Sequence, residues 1–290
     1  MSSMDLIKQL REATGSGIVD CKKALLENND DLDAAVKWLR EKGILKAQKK
    51  QNRATNEGVI SLFNQNSLNS FTVCKINCET DFVAKNNDFL SFAESLTKKI
   101  NESKDLKEKG NFEDLGPLSV DGKDIKTALT DLITKIGENI QIVSYKKYNS
   151  DNSIFVSYLH NKYNNNCSKI AAVVEIKTDN FNIASKIIDD LKVIPMQVTA
   201  MKPLGLDENS IDKKILNDEK DIILKQMENI PENKKELILN GKLSKFIKEN
   251  TLLGQSLITE PKKSVSDFII ELSKNNKIEL NIISMDLYII

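Results

Sequence analysis

The 290-residue sequence holds a single histidine, His160, and no P-loop, GxSxG or HExxH string. So little acid–base equipment argues against a hydrolase or any other enzyme of covalent chemistry. No apolar run approaches the roughly 18 residues that span a bilayer. The first residues, MSSMDLIKQLREAT, lack both the apolar stretch of a signal peptide and the Arg-rich, acid-poor pattern of a transit peptide. The four cysteines, Cys21, Cys74, Cys78 and Cys167, are scattered among apolar neighbours and read as reduced thiols. Cys74 and Cys78 form a CxxxC spacing, but no second cysteine or histidine pair follows to complete a four-ligand zinc site. Nor is there an excess of charge: Lys+Arg and Asp+Glu both number 42. Without a global field the chain is not drawn onto nucleic acid or an anionic membrane, and its partners are recognised by a shaped surface or a local patch. No cofactor or bound metal is expected.

What is present is ordinary globular composition, 40% hydrophobic and 29% charged. The first 45 residues predict three short helices. Leu6 and Leu10 share one face; the TGSG at 14–17 breaks the chain; Ile18, Cys21 and Leu25 line one side of a second helix. Asn29 and Asp30 are candidate caps for a third, with Leu32, Ala35, Val36 and Leu39 as its buried stripe and Gly43 as its stop. Such a bundle is marginal alone and suits a module that docks on something. Residues 46–56, opening with KAQKKQNR, are a polar linker.

Beyond it the period changes. GVISLF, FTVCKINCE and IQIVSY read as strands, with NQNSLNS as the turn between the first two. Phe89, Phe92, Ala93, Leu96 and Ile100 form the stripe of an amphipathic helix. The plan recurs: SIFVSYLH and KIAAVVEI form a second strand pair, and KIELNIIS supplies a late strand. INCETDF and VEIKTDNF both run from a strand through Thr-Asp into a helix. The fold class is therefore α+β: a three-helix module (1–45), then two pseudo-repeated antiparallel β/α subdomains (57–148 and 149–290). The second carries a charged helical hairpin at about 208–250, with Ile215, Ile222 and Ile223 inside one helix and Leu239, Leu243 and Phe246 in the other. Its narrow apolar seam suits a protruding arm or a self-association surface.

TDFVAKN at 80–86 is the sharpest feature. Thr80 can cap a helical turn directly after a strand, which puts Asp81 and Phe82 at an outward corner. Two readings stand: Phe82 packs into its own core with Asp81 assisting the cap, or both are presented to a partner.

CETDFVAKN at 78–86 resembles the signature of the elongation factor Ts family. TGSGIVDCKKAL at 14–25, KIGENIQI at 135–142, AMKP at 200–203, NGKLSKF at 240–246 and LITEPKKSV at 257–265 match further blocks in order, and YLHN at 158–161 matches a Tyr-x-His-Gly element except at its last position, Asn161. The resemblance runs from about residue 5 to about 285. It implies a guanine nucleotide exchange factor that binds elongation factor Tu and releases GDP without covalent chemistry. It also implies a role for each matching residue. Phe82 would wedge between helices of the partner's nucleotide domain, Asp81 would disturb the water shell of the partner's Mg²⁺, and Thr80 and Val83 would set the turn. The first module resembles the ubiquitin-associated fold; Ile18, Val19 and Lys22 fall at partner-contact positions, as does His160. Ile18 could equally be core. Trp38 reads as packed or partly exposed. A bacterial cytoplasm is implied, with an organelle open if a targeting segment was removed.

A ubiquitin-type adaptor is the competing reading, but TGSGI lacks the Met and the aromatic of ubiquitin-binding loops, and an adaptor has no use for the TDFV turn. Two departures from the family pattern stand out. The loop NKYNNNCS after His160 is longer and less glycine-rich, and the chain ends at Ile290 soon after its last strand, which predicts a reduced C-terminal contact.

Overall fold

The computed structural model describes residues 3–64, 68–227 and 230–290. Its helices are α1 (Ser3–Thr14), α2 (Ile18–Glu27), α3 (Leu32–Lys50), α4 (Asp81–Ala84), α5 (Asn87–Glu102), α6 (Ile125–Ile136), α7 (Phe181–Lys186), α8 (Val193–Met201), α9 (Lys213–Lys225), α10 (Glu232–Asn250) and α11 (Val265–Asn276), besides single turns. The long strands are β1 (Glu57–Asn64), β2 (Ser70–Cys78), β3 (Ile140–Asn149), β4 (Ser153–Lys162), β5 (Cys167–Thr178) and β6 (Leu280–Ile289). In the turn expected between β1 and β2, Gln65–Ser67 lie outside the described residues.

Helices α1–α3 close a small core of Ile7, Leu10, Cys21, Ala24, Leu25, Ala35 and Leu39. Three expectations change here. Asn29 and Asp30 are not caps: both have positive φ and form the left-handed turn, while Asp31 accepts the Ala34 N–H at 3.0 Å. Val36, expected in the buried stripe, is exposed. And α3 does not stop at Gly43 but continues to Lys50, through the first part of the expected linker. Gly43 is instead a point of close approach: a Cβ there would lie 2.7 Å from Thr134 Oγ1 of α6. Helix α3 continues because its last turns pack on the core, with Ala47 buried there, and packing overrides a glycine's weak propensity.

The strands form antiparallel ladders β1–β2–β3 and β4–β5–β6. They are joined: β1 pairs with β5 at Ile60–Ser168 and Ser61–Cys167, giving one seven-stranded sheet whose far edge is Lys109–Gly110. Opposite that junction the Phe155 N–H donates to the Leu68 carbonyl at 2.7 Å. The two ladders share a defect. Between β2 and β3 the register steps from Ile76–Ile142 to Lys75–Ser144, with Val143 as the extra residue. Between β5 and β6 it steps from Ile176–Ile282 to Glu175–Ser284, with Ile283 extra. Matching positions also meet across the seam: Lys146 pairs with Asp286 at 2.5 Å, and the Tyr148 and Tyr288 hydroxyls lie 2.6 Å apart.

Strand side chains alternate between faces. On one face Phe89, Phe92, Ala93, Leu96 and Ile100 of α5 cover the first ladder as their spacing predicts, each burial contributing roughly 2 kcal/mol for the large side chains. A second core gathers Ile154, Val174 and Ile176 with residues of α8 and α11. A third, including Ile60, Phe71, Phe155 and Val173, lies where the ladders meet. Helices α9 and α10 pack on each other, and Ile223 is buried. Ile215 and Ile222, expected inside, are instead exposed.

Candidate functional site

The site begins where β2 ends. Thr80 turns the chain: its hydroxyl accepts the Val83 N–H at 3.4 Å and caps α4, a single turn. The turn sorts its side chains. Val83 and Ala84 face the core and are buried, while Phe82 points out with 82% of its surface exposed. This decides between the two sequence readings of Phe82: it does not pack into its own core. A bare phenylalanine ring on one tight turn leaves about 2 kcal/mol of apolar transfer energy unused in the free protein. Asp81 is exposed and bound by Lys85 at 2.8 Å, and that ammonium holds its carboxyl below the usual range. Behind the turn the Cys78 thiol donates to the Thr80 carbonyl at 3.2 Å. Burial, then the Glu138 charge, pushes that thiol up to about 12, so it stays protonated and donating.

The corner is clasped to the end of α6. Gly137, at φ 90°, ends that helix in the left-handed conformation that favours glycine, and the next two residues turn onto the corner. Glu138 accepts two bonds from Thr80, its N–H at 3.1 Å and its hydroxyl at 2.8 Å. In return Glu79 accepts the Asn139 N–H at 2.6 Å. Asn139, itself buried, donates to the carbonyls of Gln51 and Arg53 and so ties in the segment after α3. Glu138, Asn139 and Glu79 lie within the KIGENIQI and CETDFVAKN blocks, but nothing local in either string marks the contact between them.

The second ladder builds the same corner. Asn180 caps α7 by accepting the Ile183 N–H at 3.1 Å, and Ala184 is buried where Ala84 is. The matched caps align Thr80 with Asn180 and Phe82 with Asn182. The likeness of the two Thr-Asp strings is therefore out of step with the structure by two residues, and Phe181 falls one place before the outward position. It packs, half-buried, against the second core.

The remaining candidates sit on two other elements. On α2, Ile18 is 54% and Val19 81% exposed, and Lys22 is exposed between them and Leu26, also exposed. Ile18 is thus surface and not core, and Leu26 is an apolar surface residue the sequence reading missed. Trp38 is half-buried against the bundle, with the Lys42 ammonium 5.0 Å from its ring centre. His160 is exposed near the end of β4, with Tyr158 Oη 3.4 Å from its Nδ1. Asn161, which stands where the family pattern has glycine, takes φ 53°, a left-handed conformation that asparagine tolerates better than most residues. The longer loop that follows returns to the first half: Asn166 donates to Glu94 of α5 at 3.0 Å, its carbonyl accepts the Leu62 N–H of β1 at 2.8 Å, and Tyr163 packs on the first core.

A rigid corner that offers an aromatic ring, with further exposed aliphatic residues on a separate helical module, is the surface of a partner-docking protein. Comparison with known proteins names the kind. The family model described as Elongation factor TS matches residues 79–288, opening at the corner itself. Elongation factor Ts of Alkalilimnicola ehrlichii is 37% identical over 92% of this chain and 86% of its own length. That of Aquifex aeolicus is 36% identical over 96% of this chain and 95% of its own. That of Clostridium novyi is 35% identical over 94% and 88%. The chain belongs to the elongation factor Ts family.

Proposed function

We propose that the Thr80–Ala84 corner is the element with which this guanine nucleotide exchange factor releases GDP from elongation factor Tu. Exchange on elongation factor Tu in translation elongation is the role of the family and of this chain; the division of labour among its residues is our reading. One observation carries it: Phe82 stands 82% exposed on a turn whose other apolar residues are buried. On this reading Phe82 inserts between helices of the partner's nucleotide domain and displaces them, supported by the cap of Thr80 and the buried anchor of Val83. Asp81 reaches the waters around the partner's Mg²⁺. That ion demands near-ideal octahedral geometry, so small displacements of its shell weaken it and leave the diphosphate poorly neutralised. Ile18, Val19 and Lys22 of α2, and His160 of β4, make holding contacts. By linkage, a factor that weakens GDP must be weakened by GDP to the same degree.

The matched registers and bulges support a pseudo-repeat of the two ladders, and the packed α9–α10 pair supports an inserted hairpin. The exposed Ile215 and Ile222 on α9 support self-association there, which sedimentation at rising concentration checks.

Release of fluorescent GDP from elongation factor Tu, with and without this chain, tests the reading in magnesium and in chelator. Strong acceleration in magnesium that shrinks in chelator is expected. Equal acceleration in both would remove the metal from the mechanism, and none in either would remove the function.

A further inference from the structure

Resting on that reading of the corner, we propose that Glu138 is its positioning residue, a clamp that holds the Phe82 ring in its outward pose before the partner arrives. Helix α4 is four residues long, too short to persist on its own hydrogen bonds. Something outside it has to fix the turn. Glu138 does so at the cap, taking both the N–H and the hydroxyl proton of Thr80 at 3.1 and 2.8 Å. With its proton committed to the carboxylate, the Thr80 hydroxyl turns a lone pair toward the Val83 N–H. The acceptor charge makes these bonds stronger than neutral ones.

The second corner separates this clamp from general architecture. Half of the clasp recurs there: Asp179 accepts the Glu279 N–H at 2.9 Å, as Glu79 accepts that of Asn139 at 2.6 Å. The other half does not. The residue before Glu279 is Ile278, only 6% exposed, and no carboxylate reaches the Asn180 cap from there. A corner of this kind therefore folds with a buried isoleucine in the place of Glu138. The carboxylate occurs at the corner whose outward position is an exposed phenylalanine, and not at the one whose outward position is Asn182. It also follows directly on the C-terminus of α6, where the helix dipole disfavours negative charge. At the second corner the Asn180 N–H is taken by the Thr178 hydroxyl at 3.2 Å, an oxygen that Cys78 lacks in the matching place; Glu138 takes the Thr80 N–H in its stead and, beyond that, orients the hydroxyl that caps Val83.

A preformed ring spares the encounter complex the ordering of the turn, so the clamp acts on the rate within the complex more than on assembly. The test is GDP release from elongation factor Tu at saturating exchange factor, for Glu138→Ala and Glu138→Gln, each alone and combined with Phe82→Ala. Thermal melts and amide exchange at Thr80 and Val83 are followed alongside. Glu138→Ala is expected to lower the saturating rate on the order of tenfold, the scale of losing charge-assisted bonds. Amide protection at Thr80 should fall while the global melt holds. Glu138→Gln should restore only part of the rate, because its single uncharged carbonyl can accept one of the two bonds that Oε1 and Oε2 take separately. In the Phe82→Ala background Glu138→Ala should add nothing, since it acts through the ring. An unchanged rate in Glu138→Ala, or an equal further loss without the ring, overturns the clamp while leaving the wedge in place. A full rate in Phe82→Ala alone overturns the wedge and the clamp with it.

Discussion

The two corners of this molecule have the same cap geometry and opposite surfaces. At each, a strand ends, a polar side chain caps one turn through the third N–H, and an alanine is buried at the fourth position. The outward second position differs: Phe82 in one, Asn182 in the other. The aromatic of the second corner, Phe181, precedes that position and lies half-buried on its core. A shift of one place within the same kind of turn thus separates an aromatic that packs on its own core from one exposed to solvent. On the proposed reading, function at this site depends on which turn position carries the ring, and on the clasp that holds the turn.

Four changes would break or sharpen that contrast. The largest expected effect is on stability. Ile278→Glu copies the clamp into the second half, but Ile278 is 6% exposed, so the new carboxylate should cost about 3 kcal/mol in urea unfolding. A variant as stable as wild type would mean that the second corner can accept a clamp without penalty. Next comes the exchange of outward residues, Phe82→Asn with Asn182→Phe. GDP release at saturation should fall by about 30-fold, the scale of an aromatic hot spot of about 2 kcal/mol, and the relocated ring should not restore it. Recovery of the rate would show that either corner can serve.

A smaller effect is expected on the helical module. Val19 is 81% exposed and carries no folding role, so Val19→Asp should weaken binding to elongation factor Tu by about fivefold while leaving the saturating release rate and the melt unchanged. A lowered saturating rate would place α2 in the exchange step itself. The smallest concerns pH. The hydrogen bond from Lys85 holds the Asp81 carboxyl below the usual carboxylate range. A depressed carboxyl contributes above its unfolded pKa and is lost only as pH falls through the folded one. Release should therefore show no Asp81-linked change between about pH 5 and pH 8. A titration within that window that disappears in Asp81→Asn would show that the carboxyl is not held ionised as its ion pair requires.

Much of this was legible in the sequence because local chemistry decided it. The alternating runs form β1–β6, the α5 stripe is buried, and the Thr80 cap follows from spacing, while the exposed Asp81 and Val19 stand at positions that the family resemblance implies for partner contact. What was not legible depends on distant partners. Gly43 reads as a stop, but Thr134 packs where its Cβ would be and the helix runs on. The Thr-Asp likeness between the two halves misled because strings align by letters, whereas turns align by caps. Glu138 is 58 residues from Thr80, and only the folded chain shows that it holds the corner. Ile215 and Ile222 have the spacing of a seam, yet only Ile223 on that helix is buried.

The most direct test of the account is the GDP release rate from elongation factor Tu at saturating Phe82→Ala, measured together with that variant's affinity for the nucleotide-free partner. The account predicts a large fall in the saturating rate, a smaller loss of affinity and an unchanged melt. A saturating rate equal to wild type would contradict it and move the work of exchange away from the corner.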